Sequence, residues 1–237
     1  MAYPRKGHLH QALHIFKYLE IHHESFLRFD PTHLELEEPL DLASHPKTKA
    51  KVLKEFYPDA EEAIPMNALK PRGRAVQINC FVDADHAGNL VMQRSQTGIL
   101  VYLNMAPIFW YSKKQNTVET STFSSKFVVL KIATEKIISL RYKLRMLGIP
   151  ILGPANVFCN NEGVYKNVSI GAFVLKKKHN SIAYHKCHES VACGVMNVFK
   201  EDGDSNFADI LTKSLGKVKR VSMRMKIMFD EKVKLIK

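Results

Sequence analysis

The chain has 237 residues, of which 46% are hydrophobic and 24% charged, with a net formal charge of +12 and a pI near 9.5. This composition excludes an intrinsically disordered chain and is typical of one sizeable folded core, with or without a small extra module. No apolar run reaches the roughly 18 residues of a membrane span, and four scattered cysteines exclude a disulfide scaffold.

The strong positive charge favours a polyanionic partner such as nucleic acid or a membrane face, with a generally solvated basic surface as the alternative. The N-terminus carries Arg5 and Lys6 but no apolar segment behind them, so we expect no signal peptide. We therefore expect an intracellular protein, in the cytoplasm or the nucleus. The composition does not indicate an oligomeric state.

The first predicted element is an amphipathic helix over residues 7–19. Its apolar residues recur at helical spacing and are Leu9, Ala12, Leu13, Phe16 and Leu19. A helix this short either docks on the rest of the chain or belongs to a larger domain. Residues 29–74 form a proline-rich, acidic connector, which we interpret as a wrapped spacer with one short helix over 47–56.

Residues 75–215 are predicted to form an α/β domain. Strand-like runs at 76–82, 98–103 and 107–111 lie close together and predict an antiparallel meander. The hydrophobic period then becomes helical from Phe123 to Leu147.

Short signals bound this long helix and the elements after it. Ser121 or Thr122 can cap it, and Gly148 stops it. Two further strands are predicted at 155–159 and 195–200. A short helix is predicted after Asn160, and longer helices over 182–193 and from residue 208 onward. Strands alternating with crossover helices predict a mixed sheet covered by helices.

Polar residues occur where ligands gather in such a sheet, at strand ends and helix starts. Asp83 closes the first strand, Asn160 follows the fourth, Asp209 starts the last helix, and Lys126 lies in the first turn of the long helix. Carboxylates in this arrangement would bind two Mg²⁺ ions for phosphoryl transfer. The set is broken here, because Asn160 is neutral and Lys126 is positive.

Several stretches resemble the ribonuclease H domain of copia-type (Pseudoviridae-like) retrotransposon polyproteins. They are RSQTGILVYLNMAPIFWYSKKQNTVETSTFSSKF, FVDADHAG, VFCNNEGVYKNVS, KKKHNSIAYHK and NFADILTKSL. The resemblance implies a ribonuclease H-like fold, a mixed five-stranded sheet with flanking helices, and a Mg²⁺-dependent endonuclease that cuts RNA in RNA–DNA hybrids. Upstream, GHLHQALHIFKYLE is similar to the end of the reverse transcriptase region. We interpret residues 1–28 as its remnant and expect that more polyprotein preceded Met1.

The family's metal site is an acidic quartet, which this sequence matches at Asp83 and Asp209 only. Lys126 stands where a glutamate is expected, and Asn160 where an aspartate is expected. The four positions carry a formal charge of −1 instead of −4, and each unit-charge pair is worth roughly 4 kcal/mol at about 4 Å. We expect an ion pair between Lys126 and Asp83, weak metal binding at most through Asp83 and Asp209, and no ordinary nuclease activity.

Basic residues along the domain are candidate phosphate contacts to an RNA–DNA hybrid or duplex, with a solvated face as the alternative. They are Arg94, Lys113, Lys114, Lys176, Lys177, Lys178, His179 and His185. The spacing of His179, His185, Cys187, His188 and Cys193 matches no zinc-finger pattern, so we expect no zinc there.

Other polar and aromatic residues receive structural interpretations. Asp85 is expected to be an exposed turn carboxylate rather than a spare metal ligand, Glu162 to stabilise a helix N-terminus, and Trp110 to pack in the core. The tail, residues 216–237, is either a basic amphipathic helix lying on nucleic acid or a membrane, or sequence that does not fold.

The leading hypothesis is an inactive ribonuclease H-like remnant with residual affinity for hybrid or duplex. The alternatives are a weak nuclease that uses one metal ion, a non-enzymatic nucleic-acid-binding module, and an unfolded product of a decayed gene.

Overall fold

The computed structural model describes residues 5–32, 46–88, 91–169 and 181–228, and for residues 46–50 it describes the backbone alone. Six α-helices, five β-strands and one 3-10 helix make up most of these residues. The strands are β1 (Ile78–Asp85), β2 (Gln96–Leu103), β3 (Ala106–Lys114), β4 (Ala155–Cys159) and β5 (Met196–Lys200). The α-helices are α1 (Lys6–Ile21), α2 (Pro46–Phe56), α3 (Thr122–Met146), α4 (Glu162–Ser169), α5 (Ser181–Ala192) and α6 (Lys217–Ile227). A 3-10 helix, Phe207–Leu211, precedes α6.

The five strands form one mixed sheet in the order β3-β2-β1-β4-β5. β1, β2 and β3 pair antiparallel, whereas β4 runs parallel to both β1 and β5. The predicted antiparallel meander and the predicted mixed five-stranded sheet with flanking helices are therefore confirmed. Because β1 and β4 are parallel neighbours, their carboxyl ends meet at the same edge of the sheet.

The two faces of the sheet bury different clusters, because successive strand residues point to opposite faces. On one face, Cys80 and Val82 pack with the apolar stripe of α3, which includes Phe127 and Leu130. On the other face, an aromatic cluster around Phe81 packs under the 3-10 helix and α6. Its members are Phe81, Leu100, Tyr102, Phe158, Phe199, Phe207 and Ala208. The helix that carries Lys126 and the segment that carries Asp209 thus lie on opposite faces of β1.

The ends of α3 follow from its sequence signals. The Ser121 side chain accepts a hydrogen bond from the Ser124 backbone N–H at 3.2 Å, which caps the helix as predicted. Gly148 has φ of +68° just beyond the last turn, a conformation that glycine adopts without strain. The start of α3, and hence the position of Lys126, is therefore fixed.

The connector is part of the domain and not only a spacer. Its predicted short helix is confirmed as α2, and Leu53 of that helix is fully buried in the core. Glu62 then accepts hydrogen bonds from Arg141, at 2.6 and 2.9 Å, and pairs with Arg145 of the same helix α3. The hydrophobic contact and the double ion pair fasten this segment to α3.

The residues after β5 fold differently from the prediction. The expected terminal helix from residue 208 is instead the 3-10 helix, because the Asn206 side chain caps Ala208 and the Thr212 backbone N–H bonds three residues back to Asp209. A separate helix, α6, follows, and its Met223 is buried. The tail is therefore folded as far as Met228.

Two apolar features lie at the surface. Trp110, expected in the core, is 55% exposed, because edge strand β3 leaves its outer face partly uncovered beside Leu211 and Met228. Helix α1, confirmed at its predicted position, has no buried residue. In the part of the chain described here, none of the helices combines the length and hydrophobicity needed to cross a membrane.

Candidate functional site

Asp83 lies at the carboxyl end of β1, where four separate chain segments converge. β4 brings Asn160 to the same edge, the first turn of α3 brings Lys126, and the 3-10 helix with the residues after it brings Asp209 and Thr212. The four positions matched to the family's quartet are thus adjacent in space.

The Asp83 carboxylate is buried and has a cationic group beside each oxygen. Oδ2 accepts a hydrogen bond from the Thr212 hydroxyl at 2.6 Å and lies 3.1 Å from Lys213 Nζ. Oδ1 lies 3.1 Å from Lys126 Nζ. Burial alone would raise the pKa of Asp83, but Lys126, the Thr212 hydroxyl and Lys213 outweigh it and hold the pKa below its ordinary value. Asp83 is therefore an ionised carboxylate stabilised by side chains.

Lys126 bridges the ends of β1 and β4. Its ammonium donates a hydrogen bond to Asn160 Oδ1, and it forms the predicted ion pair with Asp83, which is thereby confirmed. The contact with Asp83 is an ion pair without good hydrogen-bond geometry, since Oδ1 accepts no well-oriented hydrogen bond. With only 12% of its side chain exposed, Lys126 is nearly enclosed in this position.

Asp209 is also buried and also has a lysine at each oxygen. Lys213 Nζ lies 2.8 Å from Oδ1, and Lys219 Nζ lies 3.2 Å from Oδ2. Burial lowers the pKa of both lysines, but their hydrogen bonds and charge pairing with aspartates outweigh it, so each pKa lies above its ordinary value. The partners are Asp209 and Asp83 for Lys213, and Asp204 and Asp209 for Lys219. All four oxygens of Asp83 and Asp209 therefore lie within 3.2 Å of an ammonium nitrogen.

Three residues of the site, Lys213, Lys219 and Thr212, were not predicted from the sequence. Lys213 follows Asp209 by four residues inside the family-like stretch, and that spacing is a usable signal for an ion pair. Lys219 carried no such signal, because its approach depends on the packing of α6 against the 3-10 helix.

The donor chemistry of this cluster does not fit two Mg²⁺ ions. Mg²⁺ requires a near-octahedral shell of oxygen ligands at about 2.0–2.1 Å. Two carboxylates are present, Lys126 places a positive charge between the strand ends, and Asn160 offers one neutral oxygen that Lys126 already occupies. Among the residues described by the structure, no group of three or more His, Cys, Asp or Glu side chains is placed to hold a metal ion.

A basic cleft of about 330 Å³ opens beside this cluster. Arg94, Lys114 and Lys213 line it, so two of the predicted phosphate contacts lie together. Lys113, the neighbour of Lys114 in β3, points to the opposite face of the sheet. Asp85 also lines the cleft and is half-buried, contrary to prediction, because β1 extends to that residue and pairs it with Gln96.

Close backbone packing positions the 3-10 helix over this part of the sheet. Gly98 is the register partner of Asp83 on β2. A Cβ at Gly98 would lie 2.5 Å from Thr212 Cγ2 and 2.9 Å from the Ala208 carbonyl oxygen. Glycine is therefore needed for the approach that brings Thr212 to Asp83.

Other candidates lie apart from the Asp83 cluster or outside the described residues. His185, on α5, bonds through its ring Nδ1 to the Tyr57 hydroxyl at 2.7 Å. His188 is buried, its Nε2 donates to the Asn167 carbonyl oxygen, and burial lowers the pKa of its ring. Glu162 is in the first turn of α4, as expected, and pairs with Lys166. Outside the described residues lie Lys176, Lys177, Lys178 and His179.

Comparison with known proteins identifies relatives among plant transposons. The retrovirus-related Pol polyproteins from transposons RE1 and RE2 of Arabidopsis thaliana are 30% and 29% identical to the chain over 146 and 147 residues. These matches cover 62% of this chain and 10% of each polyprotein, so the chain spans about a tenth of the length of these relatives. No protein-family model matches the chain.

Among solved structures, LC11-RNase H1 from a compost metagenome, in complex with an RNA/DNA hybrid, is similar with a TM-score of 0.46 and 17% identity. The match covers 57% of this chain and 94% of that chain.

Proposed function

We propose that this chain, a sequence relative of the Pol polyproteins of copia-type retrotransposons, is a ribonuclease H-like domain that binds nucleic acid without hydrolysing it. The partner that we propose is an RNA–DNA hybrid or a duplex, held by its phosphate backbone. The position of Lys126 carries this proposal. It places an ammonium group 3.1 Å from the one buried carboxylate of β1, where a two-metal nuclease needs a divalent cation.

Loss of hydrolysis follows from the charges at the site. In a two-metal mechanism one ion activates the attacking water and both ions stabilise the charge that develops on the phosphoryl group. An ammonium group can offset charge, but it does not lower the pKa of a water as a bound metal ion does. Asn160 cannot replace the missing carboxylate, since its amide oxygen is neutral and already accepts the Lys126 hydrogen bond.

Retained binding is supported by the basic surface beside the site. The whole chain carries a net charge of +12, and the cleft next to Asp83 places Arg94, Lys114 and Lys213 around one cavity. Arginine and lysine groups arranged along a groove contact phosphates independently of sequence. We therefore propose Arg94 and Lys114 as backbone contacts, and Lys113, Lys177, Lys178, His179 and His185 as further candidates.

Cleavage and binding of a labelled RNA–DNA hybrid by the full chain test the proposal. We expect saturable binding that weakens steeply with salt, because phosphate contacts release counterions. No cleavage above the level of an Asp83→Asn variant is expected in Mg²⁺ or Mn²⁺. Arg94→Ala together with Lys114→Ala should weaken binding and flatten the salt dependence, whereas Lys131→Ala, at a partly exposed residue of α3 outside the basic cleft, should not.

The two halves of the proposal fail separately. Cleavage that disappears in Asp83→Asn would show a working nuclease and overturn the inactivity. Hybrid affinity that is weak and independent of salt would overturn the binding function.

A further inference from the structure

The charge balance at the Asp83 cluster differs in sign from that of an acidic metal site. Asp83 and Asp209 contribute two negative charges, and Lys126, Lys213 and Lys219 contribute three positive ones, all within 3.2 Å contacts. Asp204 also contacts Lys219, but its side chain is fully exposed, so solvent screens its charge. These two carboxylates and three ammonium groups therefore carry a net formal charge of +1.

The sign of this net charge determines whether the site repels or attracts a phosphate group. An empty acidic quartet repels a phosphate backbone, and divalent cations must first neutralise it. Here the carboxylates are already neutralised by side chains that cannot dissociate. The ammonium groups of the lysines therefore supply the positive charge that an acidic site would need from divalent cations before it could bind nucleic acid.

The three lysines have different access to a ligand. Lys126 is 12% exposed and sits between two strand ends, so it sets the local charge without direct contact to a backbone. Lys213 and Lys219 are 35% and 31% exposed, so their ammonium groups can also face a phosphate. Lys213 lines the basic cleft as well, which joins the cluster to Arg94 and Lys114.

We infer that Lys126 acts as a built-in cation, so that the Asp83 cluster accepts the phosphate backbone of a hybrid or duplex without any divalent metal ion. The inference rests on the proposed binding function and adds to it that binding is independent of Mg²⁺. Lys126 is a positioning residue here, since it acts by holding Asp83 and Asn160 and not by touching the ligand.

The test is binding of a 2′-O-methyl RNA–DNA hybrid, which cannot be cleaved, by the full chain in EDTA and in Mg²⁺ at matched ionic strength. We expect the two dissociation constants of the wild-type protein to agree within about twofold, since no phosphate contact changes. The double variant Lys126→Glu with Asn160→Asp restores four carboxylates. It should bind at least about tenfold more weakly in EDTA and regain affinity when Mg²⁺ is added.

Lys131→Glu is the control for the Lys126→Glu part of the double variant, because it reverses the charge of another lysine of α3, at a partly exposed residue paired with Glu135. It should show no difference between EDTA and Mg²⁺ beyond that of the wild type. If hybrid binding by Lys131→Glu depends on Mg²⁺ as strongly as binding by the double variant, the dependence arises from the net charge of the protein and not from the position of Lys126, and the inference is overturned. Lys219→Ala, which leaves Lys126 in place, should weaken binding equally in EDTA and Mg²⁺.

The wild-type comparison decides the inference even if the double variant does not fold. Wild-type binding that falls at least about tenfold in EDTA overturns the inference while leaving the binding function intact. Absence of hybrid binding under both conditions overturns the proposed function itself.

Discussion

Lys126 Nζ and Asp83 Oδ1 lie 3.1 Å apart, although one side chain comes from α3 and the other from the end of β1. The ion pair joins the helix on one face of the sheet to the strand edge where β1 and β4 meet. Breaking a buried ion pair is costly, because the remaining charge loses its partner but not its burial. The pair therefore contributes to stability as well as to the charge of the site.

Replacing Lys126 with methionine should destabilise the protein. The change keeps the side-chain length but leaves Asp83 with Thr212 and Lys213 as its partners. We expect a loss of about 3 kcal/mol, the low end for breaking a buried pair, measured as the free energy of unfolding in urea. Lys131→Met removes a partly exposed i,i+4 pair on the same helix and should cost about 0.5 kcal/mol or less. Equal losses for the two variants would contradict a buried, stabilising pair.

The stability of the protein should depend on pH through Asp83. Its folded-state pKa lies below the ordinary value of 3.8, so its ionised form favours the folded state. This contribution is fully present above about pH 5 and is lost as the pH falls through the folded pKa. The difference in unfolding free energy between wild type and Asp83→Asn should therefore shrink from about pH 5 to pH 2. The unfolding free energy of the control Asp59→Asn, at an exposed residue, should change with pH in parallel with that of the wild type. If the Asp83→Asn curve is also parallel to the wild-type curve, the pKa of Asp83 is not lowered by folding.

Removing Glu62 should loosen the connector from α3. Glu62 pairs with both Arg141 and Arg145, and Arg141 is buried, so Glu62→Ala leaves an uncompensated charge. We expect a loss of about 3–5 kcal/mol in urea unfolding and faster trypsin cleavage in the connector. Glu61→Ala, at the exposed neighbouring residue, is the control and should match the wild type. An unchanged stability of Glu62→Ala would show that the segment is a spacer after all.

Gly98→Ala should displace the 3-10 helix from the sheet. The new methyl group would meet Thr212 Cγ2 at 2.5 Å and the Ala208 carbonyl oxygen at 2.9 Å. We expect a loss of about 1–3 kcal/mol from overpacking, together with weaker hybrid binding. Adding Thr212→Ser removes the methyl contact but keeps the hydroxyl bond to Asp83, so it should restore part of the stability and not all of it. Full restoration would show that the backbone contact does not matter.

The sequence predicted the regular elements and the gathering of the quartet positions well. Hydrophobic spacing predicted α3, and the polar residues at the carboxyl ends of β1 and β4 indicated that Asp83 and Asn160 would meet. These features depend on local period and on strand direction, which short stretches of sequence encode.

Features that depend on tertiary packing were not predictable in the same way. Lys219 reaches Asp209 only because α6 packs against the 3-10 helix, and nothing in the local sequence pattern predicts that packing. Trp110 was expected to be buried from its place in an apolar strand. Its exposure follows from the edge position of β3, which is a property of the whole sheet.

Titration of the full chain with Mn²⁺, followed by calorimetry and electron paramagnetic resonance, measures directly whether the site around Asp83 and Asp209 binds metal ions. The wild type and Asp83→Asn should show the same weak binding up to about 1 mM Mn²⁺. The double variant Lys126→Glu with Asn160→Asp should gain sites that Asp83→Asn removes. Two Mn²⁺ ions bound per wild-type chain, and lost in Asp83→Asn, would contradict the account.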